Sequence, residues 1–154
     1  MSSSTFYIAI DPGLATGVAA FSLDAGGEPF LIETGELGVR EVAPWVRKWL
    51  DVDPEVNVIV ERFTINSETH KKSPAHWSLE LIGIIKQCMW DIGRSEEEIR
   101  LQQPADAKNL FPNPALKKLG YWHRGGEGHA LDAIRHALLG MVSYGVWQPT
   151  RLLK

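Results

Sequence analysis

Four side chains of this sequence have the types expected of a divalent-metal site: Asp11, Glu61, His129 and Asp132. Three carboxylates and one imidazole make an oxygen-rich ligand set, which suits Mg²⁺ or Mn²⁺, and the imidazole shifts the preference a little towards Mn²⁺. Two such ions about 4 Å apart can activate a water and stabilise the leaving oxygen of a displacement at phosphorus. This chemistry needs no protein nucleophile, in agreement with the absence of a Ser-His or Cys-His signature.

Asp11 directly follows a short apolar run, residues 6–10, whose composition predicts a buried strand. Pro12-Gly13 breaks this strand, and residues 16–23 begin a second extended run. The carboxylate is thus expected at the tip of a strand, beside a Gly-rich hairpin that lets a backbone or phosphate come close. An ordinary hairpin with a turn aspartate explains the same residues equally well.

The other three candidates sit on one further strand and one helix. Glu61 directly follows the run Val58-Ile59-Val60, although a lone strand-end glutamate is more often paired with a neighbour such as Arg62. His129 and Asp132 are three residues apart on a helical pattern, so both fall on one face. A lone histidine there is more often structural, but its combination with two strand-end carboxylates favours a ligand set.

Hydrophobic periodicity and turn residues predict an α/β fold with a mixed five-stranded sheet flanked by helices. Its first three strands, joined by short Gly-rich turns, form an antiparallel meander, and the strands that end at Asp11 and Glu61 are expected to be neighbours. The strands are predicted at residues 6–10, 16–23, 29–37, 56–60 and 99–103. The helices are predicted at residues 39–50, 75–93, 104–111, 114–119 and 129–144. A polar loop is predicted at residues 64–74, and residues 1–154 are expected to form a single domain.

Composition narrows the classes of partner. The 154 residues carry a net charge of −3, which argues against tight nonspecific binding to DNA. If three carboxylates bind metal, however, the remaining acids only equal the 16 lysines and arginines, so a phosphodiester substrate is not excluded. Cys88 is the only cysteine of the sequence. No signal peptide is predicted at the start of the sequence, and no apolar run approaches the roughly 18 residues that span a bilayer. These features predict a cytoplasmic protein with no membrane partner.

The ordered motifs of the chain resemble those of RuvC-like Holliday-junction resolvases, which belong to the ribonuclease H-like superfamily. The resemblance lies in Ile10-Asp11-Pro12-Gly13 with Thr16-Gly17, in Val60-Glu61-Arg62-Phe63 and in His129-Ala130-Leu131-Asp132-Ala133. The segment 79–83 is similar to the family's long central helix, and Gln103-Pro104 followed by Lys108 resembles its strand-end proline and downstream lysine. Nearly the whole chain is covered in order, and the compact length resembles a bacteriophage-type member, which would act in the cytoplasm of a bacterial host.

The resemblance implies a ribonuclease H-like domain and a homodimeric, Mg²⁺-dependent endonuclease acting in DNA recombination and repair. Such an enzyme nicks four-way junctions in pairs and leaves 5′-phosphate and 3′-hydroxyl ends. Asp11 and Glu61 would be shared ligands of two ions per site, and Asp132 the ligand from the last helix. At position 129 many members carry aspartate and some carry histidine, as here, so His129 would ligate a metal or orient the water.

DNA contacts are predicted from basic and aromatic residues near these motifs. Phe63 could stack on an unpaired base or belong to the core. The basic residues that could follow the phosphate backbone are His70, Lys71, Lys72, Lys108, Lys117, Lys118 and Arg124. Each of them is individually more often an ordinary solvated charge.

Four alternatives stay open at this stage. A sugar-kinase or actin-like ATPase also opens with a strand and a phosphate hairpin, but needs two lobes and a second phosphate loop. The resolvase-like ribosomal-RNA processing family typically lacks an equivalent of Glu61. A noncatalytic DNA-binding protein on the same fold would not need all four candidate ligands. Finally, the same site could prefer flaps, forks or single-stranded DNA, which the low basicity favours.

Overall fold

The computed structural model describes residues 6–64, 68, 76–126 and 128–153, and these form a five-stranded mixed sheet with helices on both faces. The strands are β1 (Phe6–Asp11), β2 (Ala15–Leu23), β3 (Pro29–Gly38), β4 (Asn57–Glu61) and β5 (Arg100–Gln102), in the order β3-β2-β1-β4-β5. The first three pair antiparallel, and β4 and β5 continue the sheet in parallel with β1. The predicted sheet is confirmed, including the adjacency of β1 and β4.

The helices are α1 (Val42–Val52), α2 (Trp77–Asp91), α3 (Pro104–Leu110), α4 (Asn113–Leu119) and α5 (His129–Ser143). Each lies where the sequence predicts it, with ends displaced by three residues or fewer. Most of the predicted loop at 64–74 lies outside the described residues. Within the described chain, no helix is long and apolar enough to cross a membrane.

The two faces of the sheet bury different side chains, because successive residues of a strand point to opposite sides. Ile8 and Ile10 of β1 pack in a core with Leu81 of α2 and side chains of α1. Tyr7 and Ala9 belong to a second core, which contains the apolar face of α5 together with Phe111 and Leu116. Asp11 continues the odd-numbered series of β1, and Glu61 follows Ile59 in the corresponding series of β4. Both carboxylates are therefore directed to the α5 side.

Small residues let α5 lie close to the sheet. Ala9 and Ala19 face Ala133 and Ala137 in this core. A Cβ atom at Gly140 would lie 2.3 Å from Cδ1 of Ile59, so the side chain of Ile59 would have to shift to admit any residue larger than glycine at this crossing. The close approach fixes the position of α5 over the carboxyl ends of β1 and β4, where the candidate ligands lie.

Candidate metal centre

Asp11 is held at the sheet edge by the turn that follows it. It pairs with Gly17 across the β1–β2 hairpin, and only 7% of its surface is exposed. The hydroxyl of Thr16 donates to the carbonyl of Gly13 (2.9 Å), and Ser78 at the start of α2 donates to the carbonyl of Pro12 (2.6 Å). These bonds fix the backbone on the C-terminal side of Asp11, so its carboxylate has a defined direction.

The amino end of α5 brings His129 and Asp132 to Asp11. A Cβ atom at Gly17 would lie 1.9 Å from the carbonyl oxygen of His129, so the helix end touches the β2 backbone at this point. His129 begins the helix, and Asp132 lies in its first turn, where the helix dipole favours a negative charge. Glycine at position 17 is thus a requirement of the site.

Asp11, His129 and Asp132 converge as a cluster of possible metal ligands. One ligand atom from each residue lies within 4.8 Å of those of the other two. The Nδ1 atom of His129 is 3.0 Å from Oδ2 of Asp11, within hydrogen-bond distance. The structure thus brings together three of the four residues that the sequence singles out, from one strand and one helix.

The electrostatics of the cluster shift two pKa values upwards. Burial, followed by the nearby charge of Glu61, raises the pKa of Asp11 to about 6, although its bond to His129 acts in the opposite direction. Burial alone would lower the pKa of His129, but the hydrogen bond to Asp11 and the charges of Asp11, Glu36 and Asp132 raise it overall. Burial and the neighbouring charge of Glu61 therefore disfavour the ionised form of Asp11, which a bound cation would stabilise.

Glu61 lies beside this cluster and is held by a different helix residue. The parallel register pairs Ile10 with Val60, which places Glu61 next to Asp11 at the strand ends. Its Oε2 atom is 2.8 Å from Nε2 of His136 on α5. Among the described residues, the ligand atoms that lie within 4.8 Å of one another belong to Asp11, His129 and Asp132, and Glu61 is not part of this group.

Asp132 is oriented by a buried arginine one turn further along α5. Nη1 of Arg135 donates to Oδ1 of Asp132 at 2.7 Å, while its Nε donates to the carbonyl of Phe111 at 2.8 Å. Nη2 donates to Oδ1 of Asn113. Lys108 approaches Oδ2 of Asp132 at 3.6 Å. The arginine therefore connects Asp132 to the segment between α3 and α4 and balances its charge.

Comparison with solved structures identifies the architecture. RuvC of Thermus thermophilus in complex with a Holliday junction substrate superposes with a TM-score of 0.66 at 16% identity, over 93% of this chain and 98% of that one. A second structure of Thermus thermophilus RuvC gives 0.66 at 15% identity, over 92% and 97%. The yeast mitochondrial Holliday junction resolvase gives 0.54 at 11% identity, over 88% and 76%. The chain has a RuvC-like fold. No family model matches the sequence, and no curated protein is similar to it in sequence.

The sequence analysis missed two residues beside this cluster, Arg135 and His136. Both are polar residues in an otherwise apolar stretch of helix, and both are almost completely buried. Their spacing from Asp132, three and four residues, places them one turn further along on the same side of α5. A helical projection that marked buried polar positions would have found them, but not their partners, which come from distant elements.

The predicted DNA contacts are only partly placed. Lys108 lies at the centre through its contact with Asp132, and the ammonium of Lys117 lies 4.5 Å from the ring centre of Trp122. Lys118 and Arg124 are exposed. Phe63 is half-buried, packs against the core below α2 and lies 6.1 Å from the ring of His76. His70, Lys71 and Lys72 lie outside the described residues.

The donor set suits a hard divalent cation. Carboxylate oxygens and one imidazole nitrogen within 4.8 Å of one another match the ligand preference of Mg²⁺ and, with the imidazole, of Mn²⁺. The pKa of Asp11 is raised first by its burial and then by the charge of Glu61, and a bound cation would stabilise the ionised carboxylate in this position. Asp11, His129 and Asp132 could therefore hold a metal ion, with Glu61 at the border of the site.

Proposed function

We propose that this protein is a divalent-metal-dependent, structure-selective DNA endonuclease that resolves four-way junctions. The observation that carries the proposal is the convergence of Asp11, His129 and Asp132 at the strand ends of a RuvC-like fold. The similar Thermus protein was solved with a Holliday junction substrate, which supports branched DNA as the substrate class. We propose a homodimer with one site per protomer, which would make the nicks in pairs. We further propose that each nick leaves a 5′-phosphate and a 3′-hydroxyl end.

The metal, proposed as two Mg²⁺ or Mn²⁺ ions per site, would supply an activated water and charge compensation for the leaving oxygen. Asp11, Glu61, His129 and Asp132 are the proposed ligands. Asp11 is the proposed central ligand, because its strand position and low exposure fix its carboxylate. Arg135 donates to Oδ1 of Asp132 and so limits the orientation of this carboxylate. His129, at the start of α5, is proposed to orient a water or to ligate a metal.

A second substrate class deserves a direct comparison. The net charge of −3 favours a nuclease that grips a short flap, a fork or a single strand over one that grips a large junction. A junction-resolving nuclease and a nuclease for flaps, forks or single strands would use the same metal ligands and the same hydrolysis. They differ only in which DNA structure brings its phosphate to the metal centre.

The test is cleavage of end-labelled four-way junction, flap, fork and linear duplex in Mg²⁺ or Mn²⁺, with Asp132→Asn as the control. We expect paired nicks near the crossover in the wild type and none in the variant. Preferred cutting of flaps or single strands would keep the metal centre and replace the substrate. Absence of cutting on every substrate, or equal cutting by Asp132→Asn, would overturn the proposal. Light scattering of the purified protein tests the dimer.

A further inference from the structure

His136 is a fully buried histidine whose two ring nitrogens both have partners. Only 1% of its surface is exposed. Its Nε2 lies 2.8 Å from Oε2 of Glu61, and its Nδ1 lies 2.8 Å from the side-chain amide of Gln102. Glu61 and Gln102 are register partners on β4 and β5. The histidine thus closes a polar bridge between a helix and two adjacent strands.

The orientation of the Gln102 amide decides which ring nitrogen carries hydrogen. With its nitrogen towards His136, the amide donates to Nδ1 at 2.8 Å and to the carbonyl of His136 at 3.1 Å. Its oxygen then accepts from the backbone N–H of Gly140 at 3.2 Å, whereas in the opposite orientation the amide oxygen faces the carbonyl of His136 and the amide nitrogen faces the N–H of Gly140. Nδ1 of His136 is therefore an acceptor, so a neutral ring carries its hydrogen on Nε2 and donates it to Glu61.

We infer that His136 is a positioning residue that holds the Glu61 carboxylate ready for metal through an Nε2–H donor, with Gln102 fixing its tautomer. This inference rests on the proposed function. The bond engages Oε2 of Glu61, which leaves the other carboxylate oxygen for a cation. A guanidinium orients Asp132 and an imidazole orients Glu61, so the two carboxylates are held by chemically different donors.

Gly140 lies beside this bridge. A Cβ atom at Gly140 would lie 3.4 Å from the side-chain amide of Gln102, in van der Waals contact with it. Gln102 is itself the last residue of a strand of three and is buried. A buried amide and a buried imidazole are costly unless both are fully hydrogen-bonded, and here each satisfies the other.

The first measurement is the ¹⁵N spectrum of the histidine rings in metal-free wild-type protein, assigned with His136→Gln. We expect His136 to show a protonated Nε2 and an unprotonated Nδ1. A ring protonated at Nδ1, alone or in addition to Nε2, would overturn the inference. This test does not depend on activity, and the variant serves only to identify the signal.

The second measurement is Mn²⁺ affinity by electron paramagnetic resonance. We expect His136→Leu to weaken binding about 10- to 100-fold, the usual loss when a partner that orients a metal ligand is removed. His136→Gln, whose amide can donate from nearly the same place as Nε2, should restore most of this loss. Leu138→Ala is the matched control, because it opens a cavity beneath the same helix without touching a carboxylate; its affinity should stay within about threefold of wild type.

The outcomes separate the two proposals. If the wild type binds Mn²⁺ and His136→Leu binds it equally well, the positioning role fails and the metal centre stands. If the wild type neither binds Mn²⁺ nor cuts DNA, the proposed function itself fails. Equal losses in His136→Leu and Leu138→Ala would reduce His136 to a packing role and overturn the inference. Should His136→Leu not fold, Gln102→Leu replaces it, with the same expected loss and with the Nε2–H tautomer no longer fixed.

Discussion

The two faces of the sheet differ in what they bury. The face towards α1 and α2 is filled by large apolar side chains such as Ile8, Ile10 and Leu81. Of the five buried polar or charged side chains among the described residues, Asp11, Gln102, Arg135 and His136 belong to the α5 side. Burying polar groups costs free energy unless they are hydrogen-bonded, whereas burying apolar surface stabilises. Both faces therefore hold the fold together, since the α5 side also buries large apolar side chains such as Phe21 and Leu138, but the α5 side in addition holds most of the buried polar groups.

The largest expected effect is the loss of cleavage on the α5 side. Asp11→Asn, Glu61→Gln or Asp132→Asn should lower the cleavage rate by about 10³-fold or more, because each removes charge that stabilises the transition state. DNA binding should be unchanged or tighter, since like-charge repulsion falls. Single-turnover cleavage and binding in EDTA measure the two quantities.

Leu81→Ala, on the opposite face, is the matched comparison. It should lower the free energy of unfolding by about 2–5 kcal/mol, through a cavity in the core, yet leave the cleavage rate of the folded protein near wild type. A cleavage loss as large as that of the carboxylate variants would erase the distinction between the two faces.

The next effect concerns the contact of α5 with β2. Gly17→Ala places a methyl group where the carbonyl of His129 lies, so the start of α5 must move away. A displacement of this size should reduce cleavage about 10²-fold. Gly83→Ala on α2, where a Cβ atom meets nothing within 4 Å, should leave cleavage unchanged. Equal behaviour of the two alanine variants would show that the helix end tolerates repositioning.

A third effect is a pH-dependent change in stability. Because the pKa of Asp11 is raised to about 6 from 3.8, its ionised form destabilises the metal-free fold. This cost is absent below pH 4 and fully present above pH 6, so Asp11→Asn should raise the free energy of unfolding by up to about 3 kcal/mol at pH 8 and by little at pH 4. Urea denaturation in EDTA at both values tests this. The penalty of Leu81→Ala should not vary with pH, and a constant Asp11→Asn effect would contradict the prediction.

The smallest expected effect is on DNA binding. If the phosphate backbone passes the α5 side, Lys108→Ala should weaken binding in EDTA and reduce the slope of log K against log salt by about 1. Arg47→Ala, on the outer surface of α1, should leave the slope unchanged. The reverse pattern would place the DNA on the other side of the sheet.

Local patterns were sufficient for most of the fold. Apolar runs and Gly-Pro turns located β1, β2 and β4, and helical spacing located α5 with its start at His129. The adjacency of β1 and β4 also followed, because strands that are buried on both faces occupy the centre of a sheet. Helix ends were less exact, since the terminal turns depend on contacts with other elements.

The site was harder to predict, because its contacts join distant parts of the chain. The sequence predicted Asp11, Glu61, His129 and Asp132 as one site but could not indicate that Glu61 contacts His136, since that contact depends on how α5 lies across the sheet. Gln102 sits on a three-residue strand with almost no local signal. The tautomer of His136 is determined only when β4, β5 and α5 are all in place. Pairing of side chains across elements is set by docking, which no local pattern encodes.

The bridge from Glu61 through His136 to Gln102 also has a consequence for the order of folding. The hairpins of β1, β2 and β3 close short loops. The bridge instead requires that β4 pair in parallel with β1 and with β5, and that α5, some 70 residues after Glu61 in the chain, dock on these strands. Long loops close late, because the chain loses conformational entropy on closure before the contacts between the loop ends contribute free energy. We expect a partly folded chain to have its meander before its metal centre. A partly folded chain would then lack the complete metal centre and would not cleave DNA, because α5 docks last.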